Sequence, residues 1–215
     1  MLERVAERVR KIAGLHEVLV ATTVSPRDEP ILRECHRMGV PVFRGSENDV
    51  LDRYWQACQT RAADGVVRIS ADCPLIDPGE SSRVVGAFLD QRPDFAANDL
   101  TPSYPVGLGT EVMTAAALET AWRDAKQPYE RQHVAPYIYQ HPERFRLVNV
   151  AAPSDYSHLR WTVDTPQDLD FVRAVYARIG GNGMFDWRAV LDLLAREPAL
   201  LELNCGIRQK RIEEC

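Results

Sequence analysis

In Val66-Val67-Arg68-Ile69-Ser70-Ala71-Asp72-Cys73-Pro74-Leu75-Ile76-Asp77 a short apolar run ends and, three residues later, an acid stands before Cys-Pro. The run reads as a buried β-strand. Pro74 fixes the turn and biases Cys73 toward extended backbone. Asp72 is thereby held rigidly at the rim of a sheet, where a cation that coordinates phosphate oxygens would sit. The segment alone leaves a second reading open, in which Asp72 only caps a turn.

Working outward, helical and strand patterns alternate. Residues 49–62 read as a helix before this strand, and residues 80–91 as one after it. Further upstream, Leu2, Val5, Ala6, Val9 and Ile12 recur at helical spacing with Gly14 as C-cap. Strands follow at 17–22 and 40–44, separated by a helix with Pro30 in its first turn and Gly39 at its end. Downstream, strands are expected at 95–98, 110–113, 145–150 and 159–163. Helices are expected at 115–126, 128–139, 166–179 and 187–197, and residues 101–109 form a Pro/Gly-rich loop. Such alternation implies βαβ units, a mostly parallel sheet and helices on both faces. Ligands bind such sheets at the carboxyl ends of the strands.

Composition narrows the class. Of 215 residues 45% are hydrophobic and 27% charged, with a formal net charge of −5. That balance supports a packed core. Without a basic stripe it argues against a nucleic-acid surface. The five cysteines (Cys35, Cys58, Cys73, Cys205 and Cys215) form no C-x-x-C pair. An odd count without that spacing indicates neither a disulfide framework nor a zinc site. No apolar stretch approaches the ~18 residues of a membrane span. The expectation is a cytoplasmic protein with reduced thiols and no membrane partner.

A second strand-end acid lies in Arg160-Trp161-Thr162-Val163-Asp164-Thr165-Pro166-Gln167-Asp168. Thr165, Pro166 and Asp168 have a structural explanation as N-cap, first helical residue and capping-box partner. Asp164 does not, and two strand-end carboxylates suffice for Mg²⁺, which takes its remaining ligands from water and phosphate. Asp168 and Asp170 spell Asp-x-Asp, a metal pattern of many glycosyltransferases, yet they fall in a helix start.

Three runs, FRGSENDVLDRYWQA (43–57), VVRISADCPLIDP (66–78) and SHLRWTVDTPQDLDFVRAVY (157–176), resemble the spore-coat polysaccharide type of the cytidylyltransferase family, related to acylneuraminate and 3-deoxy-manno-octulosonate cytidylyltransferases. The likeness runs from Met1 to about Asn204, with the motifs in family order. It implies an α/β nucleotide-diphosphosugar-transferase fold, Rossmann-like and three-layered. It also implies transfer of CMP from CTP to an acidic or phosphorylated sugar. By position, Asp72 and Asp164 look like Mg²⁺ ligands and catalytic residues. Arg44, Ser46, Arg53 and Arg68 would serve the nucleotide. Glu111, His133 and Tyr137 would line the sugar pocket, with Arg160 near the metal. Each has a bland alternative: Ser46 in a loop, Arg53 in a helix ion pair, His133 in the core, Arg160 in a structural pair with Asp164.

Family members begin with a strand and a Gly-, Ser-, Arg- and Lys-rich loop whose backbone holds the CTP phosphates. This chain opens on the helix that follows that loop. The first strand is therefore expected to be missing from the fold, and the chain as given to be inactive or badly impaired. Its start is either read late at an internal Met or a genuine truncation. The expected domain is 1–204, with a helical portion at about 184–204 and a tail at 205–215. A homodimer through residues 114–139 fits the resemblance. A glycosyltransferase consuming a nucleotide sugar, or a non-catalytic subunit, are the alternatives.

Overall fold

A computed structural model describes residues 1–180 and 183–209; Cys215 and the rest of the tail beyond 209 lie outside the described residues. The chain runs α1 (Leu2–Val9), β1 (Val20–Thr23), α2 (Glu29–Met38), β2 (Val42–Gly45), α3 (Val50–Arg61), β3 (Gly65–Arg68), α4 (Pro78–Gln91) and β4 (Phe95–Ala97). It continues through β5 (Glu111–Thr114), α5 (Ala115–Asp124), α6 (Pro128–His133), α7 (Pro136–Tyr139), β6 (Leu147–Asn149), α8 (Pro166–Ile179) and α9 (Trp187–Arg196).

Most boundaries follow local chemistry. Asp49 caps α3 by accepting from the Asp52 amide at 2.9 Å, and Gly39 ends α2 in the left-handed conformation with φ 60°. Thr165 and Asp168 form a reciprocal capping box at α8, with Pro166 in the first turn. Three expectations need correction. The first helix ends at Val9 and not near Gly14, because tighter bonds from Lys11 to Arg8 and from Ile12 to Val9 replace the α pattern. The helix expected at 128–139 breaks into α6 and α7 at Val134. Residues 159–163 form no strand: Arg160 makes an isolated parallel bridge to Val106, and the segment is held by that loop instead of by a ladder.

The strands form two pieces. β1 and β2 pair in parallel, while the larger sheet has the order β3-β5-β4-β6. β5 is antiparallel to both neighbours, so β3, β4 and β6 run the same way. The carboxyl ends of β3 and β4 and the start of β5 thus share one rim, with Arg68 in register with Glu111.

Alternation divides the core into layers. Phe95, Ala97 and Met113 face Leu51, Trp55, Leu118 and Ile138 of the helices on one side. Ala96 and Val112 face Ile12, Val84 and Val85 on the other. This period-2 split buries both faces of the sheet and gives the expected three-layer α/β architecture. A separate cluster joins Trp161, Leu108 and Tyr104 to Phe171, Val175, Trp187 and Leu194 of α8 and α9. It fastens the loop after β4 to the C-terminal helices.

Candidate active site

Asp72 lies half-buried just past β3. The Val163 amide donates to its carbonyl at 2.8 Å and the Thr162 hydroxyl at 3.4 Å. Asp164 is the next residue along that segment and is exposed, so two acids distant in sequence stand on adjoining backbones. Gly107, in the loop after β4, packs on the same segment. Its φ is +109°, and a Cβ there would stand 2.7 Å from the Thr162 nitrogen. Only glycine lets the loop press so closely on this segment. The Cys73 thiol donates to Asp72 Oδ1 at 3.1 Å. Burial, then the charge of Asp72, push that thiol well above its ordinary value. It is a fixed hydrogen-bond donor and not a thiolate nucleophile.

Arg160 organises the acids of the C-terminal segment. It donates to Asp164 Oδ2 at 2.6 Å and through Nε to Asp168 Oδ1 at 2.9 Å. Asp168 is fully buried. It also accepts from the Asn204 amide at 3.0 Å, the Thr165 hydroxyl at 3.0 Å and the Asp164 amide at 3.1 Å. Burial would raise its pKa, but the bonds from Arg160, Asn204, Asp164 and Thr165 outweigh that and bring it down to about 2. Asp170 is exposed and pairs with Arg173 at 3.7 Å. The Asp-x-Asp pattern is therefore a cap and a surface acid.

A third group lies on the rim formed by β3, β4 and β5. Arg68 donates to Glu111 Oε2 at 2.7 Å, with side-chain exposures of 19% and 12%. Tyr54 of α3 faces this pair. Asp99, two residues past β4, is exposed beside it. No side-chain hydrogen bond from another described residue reaches its carboxylate. The packed surroundings, then the charge of Glu111, push its pKa up to about 7 against the pull of Arg68. Asn98 fixes this corner: its side chain donates to the Leu108 carbonyl at 2.9 Å and accepts from the Thr110 amide at 2.7 Å. Sequence reading passed over Asp99, although it obeys the rule that selected Asp72, an acid just beyond a strand end.

The other expected residues are dispersed. Arg44 Nε donates to the Thr23 carbonyl at 3.0 Å and another nitrogen to Glu29 at 3.2 Å, which ties β2 to the turn after β1. The Ser46 hydroxyl accepts from the Asp49 amide at 3.1 Å, and the Ser46 carbonyl accepts from Arg53 at 2.7 Å. These two bonds shape the entry to α3. His133 ends α6 and is half-buried. The turn that follows has Val134 at φ 73°, ψ −58°, closed by a bond from the Ala135 amide to the His133 carbonyl at 2.9 Å. A γ-turn of this hand is rare and strained for a β-branched residue. Tyr137 is buried, stacks on His141 at 4.3 Å and accepts from Arg144, which binds it into the turn after α7.

Among the described residues no group of three or more His, Cys, Asp or Glu has a metal-holding arrangement. Asp72 and Asp164 offer oxygen donors that retain access to solvent, and the nearby thiol is already spent on Asp72. That donor set fits a hard cation that completes its shell with water and phosphate oxygens. An open depression of about 560 Å³ at Glu80, Arg83 and Arg188 includes none of these residues. Among the described residues no helix is long and apolar enough to cross a membrane.

The profile of the family described as Cytidylyltransferase matches residues 1–188. An uncharacterized protein of Methanocaldococcus jannaschii is 35% identical over all of this chain and 87% of the relative. Spore coat polysaccharide biosynthesis protein SpsF of Bacillus subtilis is 28% identical over 92% of this chain and 84% of that protein. The solved structure of a cytidylyltransferase from Leptospira borgpetersenii superposes with a TM-score of 0.89 at 28% identity, covering 98% of this chain and 87% of its own.

Proposed function

The chain belongs to the cytidylyltransferase family, a family of nucleotidyltransferases, and from that premise we propose that it moves CMP from CTP to an acidic or phosphorylated sugar used in a surface polysaccharide or glycan. The observation that supports this reading is the bond from the Val163 amide to the Asp72 carbonyl, which joins the segment leading into Asp164 to the turn that carries Asp72. Asp72 and Asp164 would hold Mg²⁺, whose chemistry when bound is to neutralise phosphate charge and orient the triphosphate.

The chain's own side chains do the rest by positioning. Cys73 orients the carboxylate of Asp72 through its thiol hydrogen bond. Arg160, anchored on the buried Asp168, fixes Asp164 from the other side. Arg68 would serve the nucleotide and its partner Glu111 the acceptor, with Tyr54 against the pair. Placement and charge compensation of this kind supply most of the rate in phosphoryl and nucleotidyl transfer. The Asp-x-Asp of a glycosyltransferase has no counterpart here, because Asp168 is buried in its cap.

The test is pyrophosphate release from CTP with Mg²⁺, across sugar acids and sugar phosphates. The protein is expressed with any in-frame codons upstream of Met1 included. Asp72→Asn is expected to lower kcat by about 10²-fold or more. An unchanged rate would remove Asp72 from the metal site. Transfer from a nucleotide sugar without use of CTP would replace the reading altogether.

A further inference from the structure

We infer that Asn204 is a positioning residue of the active site, acting through Arg160 to hold Asp164 with one carboxylate oxygen pinned and the other free for a divalent cation. The inference rests on the nucleotidyl-transfer reading. It adds to that site the segment after α9, which lies beyond the residues 1–188 that match the family profile.

The route from Asn204 to Asp164 is continuous. Asn204 follows the short 3₁₀ turn Pro198–Leu203 and is 5% exposed. Its side-chain nitrogen donates twice, to the Arg160 carbonyl at 2.9 Å and to Asp168 Oδ1 at 3.0 Å. Asp168 in turn receives the Arg160 guanidinium on both oxygens, from Nε at 2.9 Å and from Nη2 at 3.0 Å. That same Nη2 donates to Asp164 Oδ2 at 2.6 Å. Asn204 therefore holds Arg160 at both ends, its carbonyl directly and its guanidinium through Asp168. Gln209, further along the segment, accepts from Arg160 Nη1. A planar fork can serve these partners together, where a lysine ammonium could not reproduce the geometry.

This rigidity is delivered at one atom. The Arg160 side chain is 10% exposed and that of Asp164 49%, so a closed-in guanidinium steadies a carboxylate that stands in solvent. Asp164 Oδ2 takes the Arg160 bond, and Oδ1 takes no hydrogen bond from another described residue. Mg²⁺ demands near-ideal octahedral geometry and is held through one or two carboxylates. A ligating carboxylate tethered on its second oxygen offers the first in a fixed direction, which is the work of an outer shell around a metal. Charge agrees with this. A guanidinium beside a metal ligand would by itself repel the cation. Asp168 neutralises Arg160, so Asp72 and Asp164 keep their own charge for the cation.

A purely structural Asn204 would have no need of this route. Leu200, four residues earlier, is buried among the side chains of α8 and α9 and fastens the segment to the core. Asn204 instead spends both donor bonds on the stretch that leads into Asp164.

The experiment titrates Mn²⁺ into the protein, with any in-frame upstream codons included, and follows paramagnetic broadening of the Asp72 and Asp164 carboxyl carbon-13 signals. Asn204→Ala should need about 10-fold more Mn²⁺ than wild type for the same broadening. Leu200→Ala loosens the segment without removing a bond to Arg160 and should titrate as wild type does. In pyrophosphate release from CTP, with sugar acids and sugar phosphates as acceptors, Asn204→Ala should raise the Mg²⁺ needed for half-maximal rate by a similar factor. Its KM for CTP at saturating Mg²⁺ should stay at the wild-type value. Equal Mn²⁺ titrations in wild type and Asn204→Ala would overturn the inference. An equal shift in Leu200→Ala would overturn it too, since loosening alone would then be the cause. Where Asn204→Ala does not fold, the exposed Gln209→Ala decides: it should shift the titration the same way by a smaller factor, and no shift would overturn the inference. If wild type uses no CTP while Mn²⁺ still reaches both acids, the nucleotidyl-transfer reading fails and the titration still decides the role of Asn204. Broadening of neither acid in wild type would overturn both.

Discussion

Two clusters in this protein have the same composition and opposite behaviour. Around Arg160 stand Asp164 and Asp168. Around Arg68 stand Glu111 and Asp99. Each has one guanidinium and two carboxylates, yet Asp168 is brought down to about 2 while Asp99 is pushed up to about 7. Desolvation opposes ionisation in both, from complete burial at Asp168 and, at the exposed Asp99, from the packing around its carboxyl. The difference is the supply of donors: Asp168 receives bonds from Arg160, Asn204, Thr165 and the Asp164 amide, whereas Arg68 gives its bond to Glu111. A saturated carboxylate is a structural anchor, and a carboxylate short of donors keeps the capacity to exchange a proton.

The sharpest way to break the contrast is to remove the anchor. Asp168→Asn leaves Arg160 buried without its main counter-charge and should destabilise the fold by about 3–5 kcal/mol in a denaturant titration. The pH dependence has a definite sign. The folded pKa of Asp168 lies below its ordinary 3.8, so its contribution is present above that value and is lost as pH falls through about 2. That difference corresponds to about 2 kcal/mol, lost progressively between about pH 4 and 2 in wild type and absent from the variant. A variant as stable as wild type would mean that Asp168 is no anchor.

A smaller change should move the second cluster toward the first. Glu111→Gln removes the nearest like charge and frees the Arg68 guanidinium for Asp99. The carboxyl titration of Asp99 should then fall from about 7 toward the ordinary carboxylate range. Carbon-13 detection of the side-chain carboxyls measures it directly. If Asp99 stays near 7, burial alone sets its pKa and the comparison between the clusters loses its cause.

The two clusters also differ in how far the sequence displays them. Thr165, Pro166 and Asp168 announce a helix start within four residues, and the capping box forms as that spacing requires. Asp72 and Asp164 are conspicuous because each follows an apolar run. Their adjacency depends on a backbone bond between distant segments, from the Val163 amide to the Asp72 carbonyl. The Arg68 cluster draws on β3, β5 and the loop after β4, and its register comes from an antiparallel strand placed between two parallel ones. Alternation of helix and strand does not announce that reversal. The break at Val134 was hidden for a similar reason. Its strained turn is held by the buried packing of Val134 and Ala135, against the preference of valine itself. The expected strand at 159–163 shows the opposite error: a β-rich pattern that the loop at Val106 holds by one bridge.

The smallest expected effect is on stability at the Arg68 cluster. The folded pKa of Asp99 is raised above its unfolded value, so the stability linked to its proton is fully present below the ordinary 3.8 and is lost as pH rises through about 7. Asp99→Asn has no charge to gain and escapes that loss. Its melting midpoint should match wild type below about pH 4 and exceed it at pH 8, with the gap opening between those values. Solvent at the open side of Asp99 screens the interaction and keeps the gap modest. A residue kept only for packing would show no such pH-dependent gain on substitution.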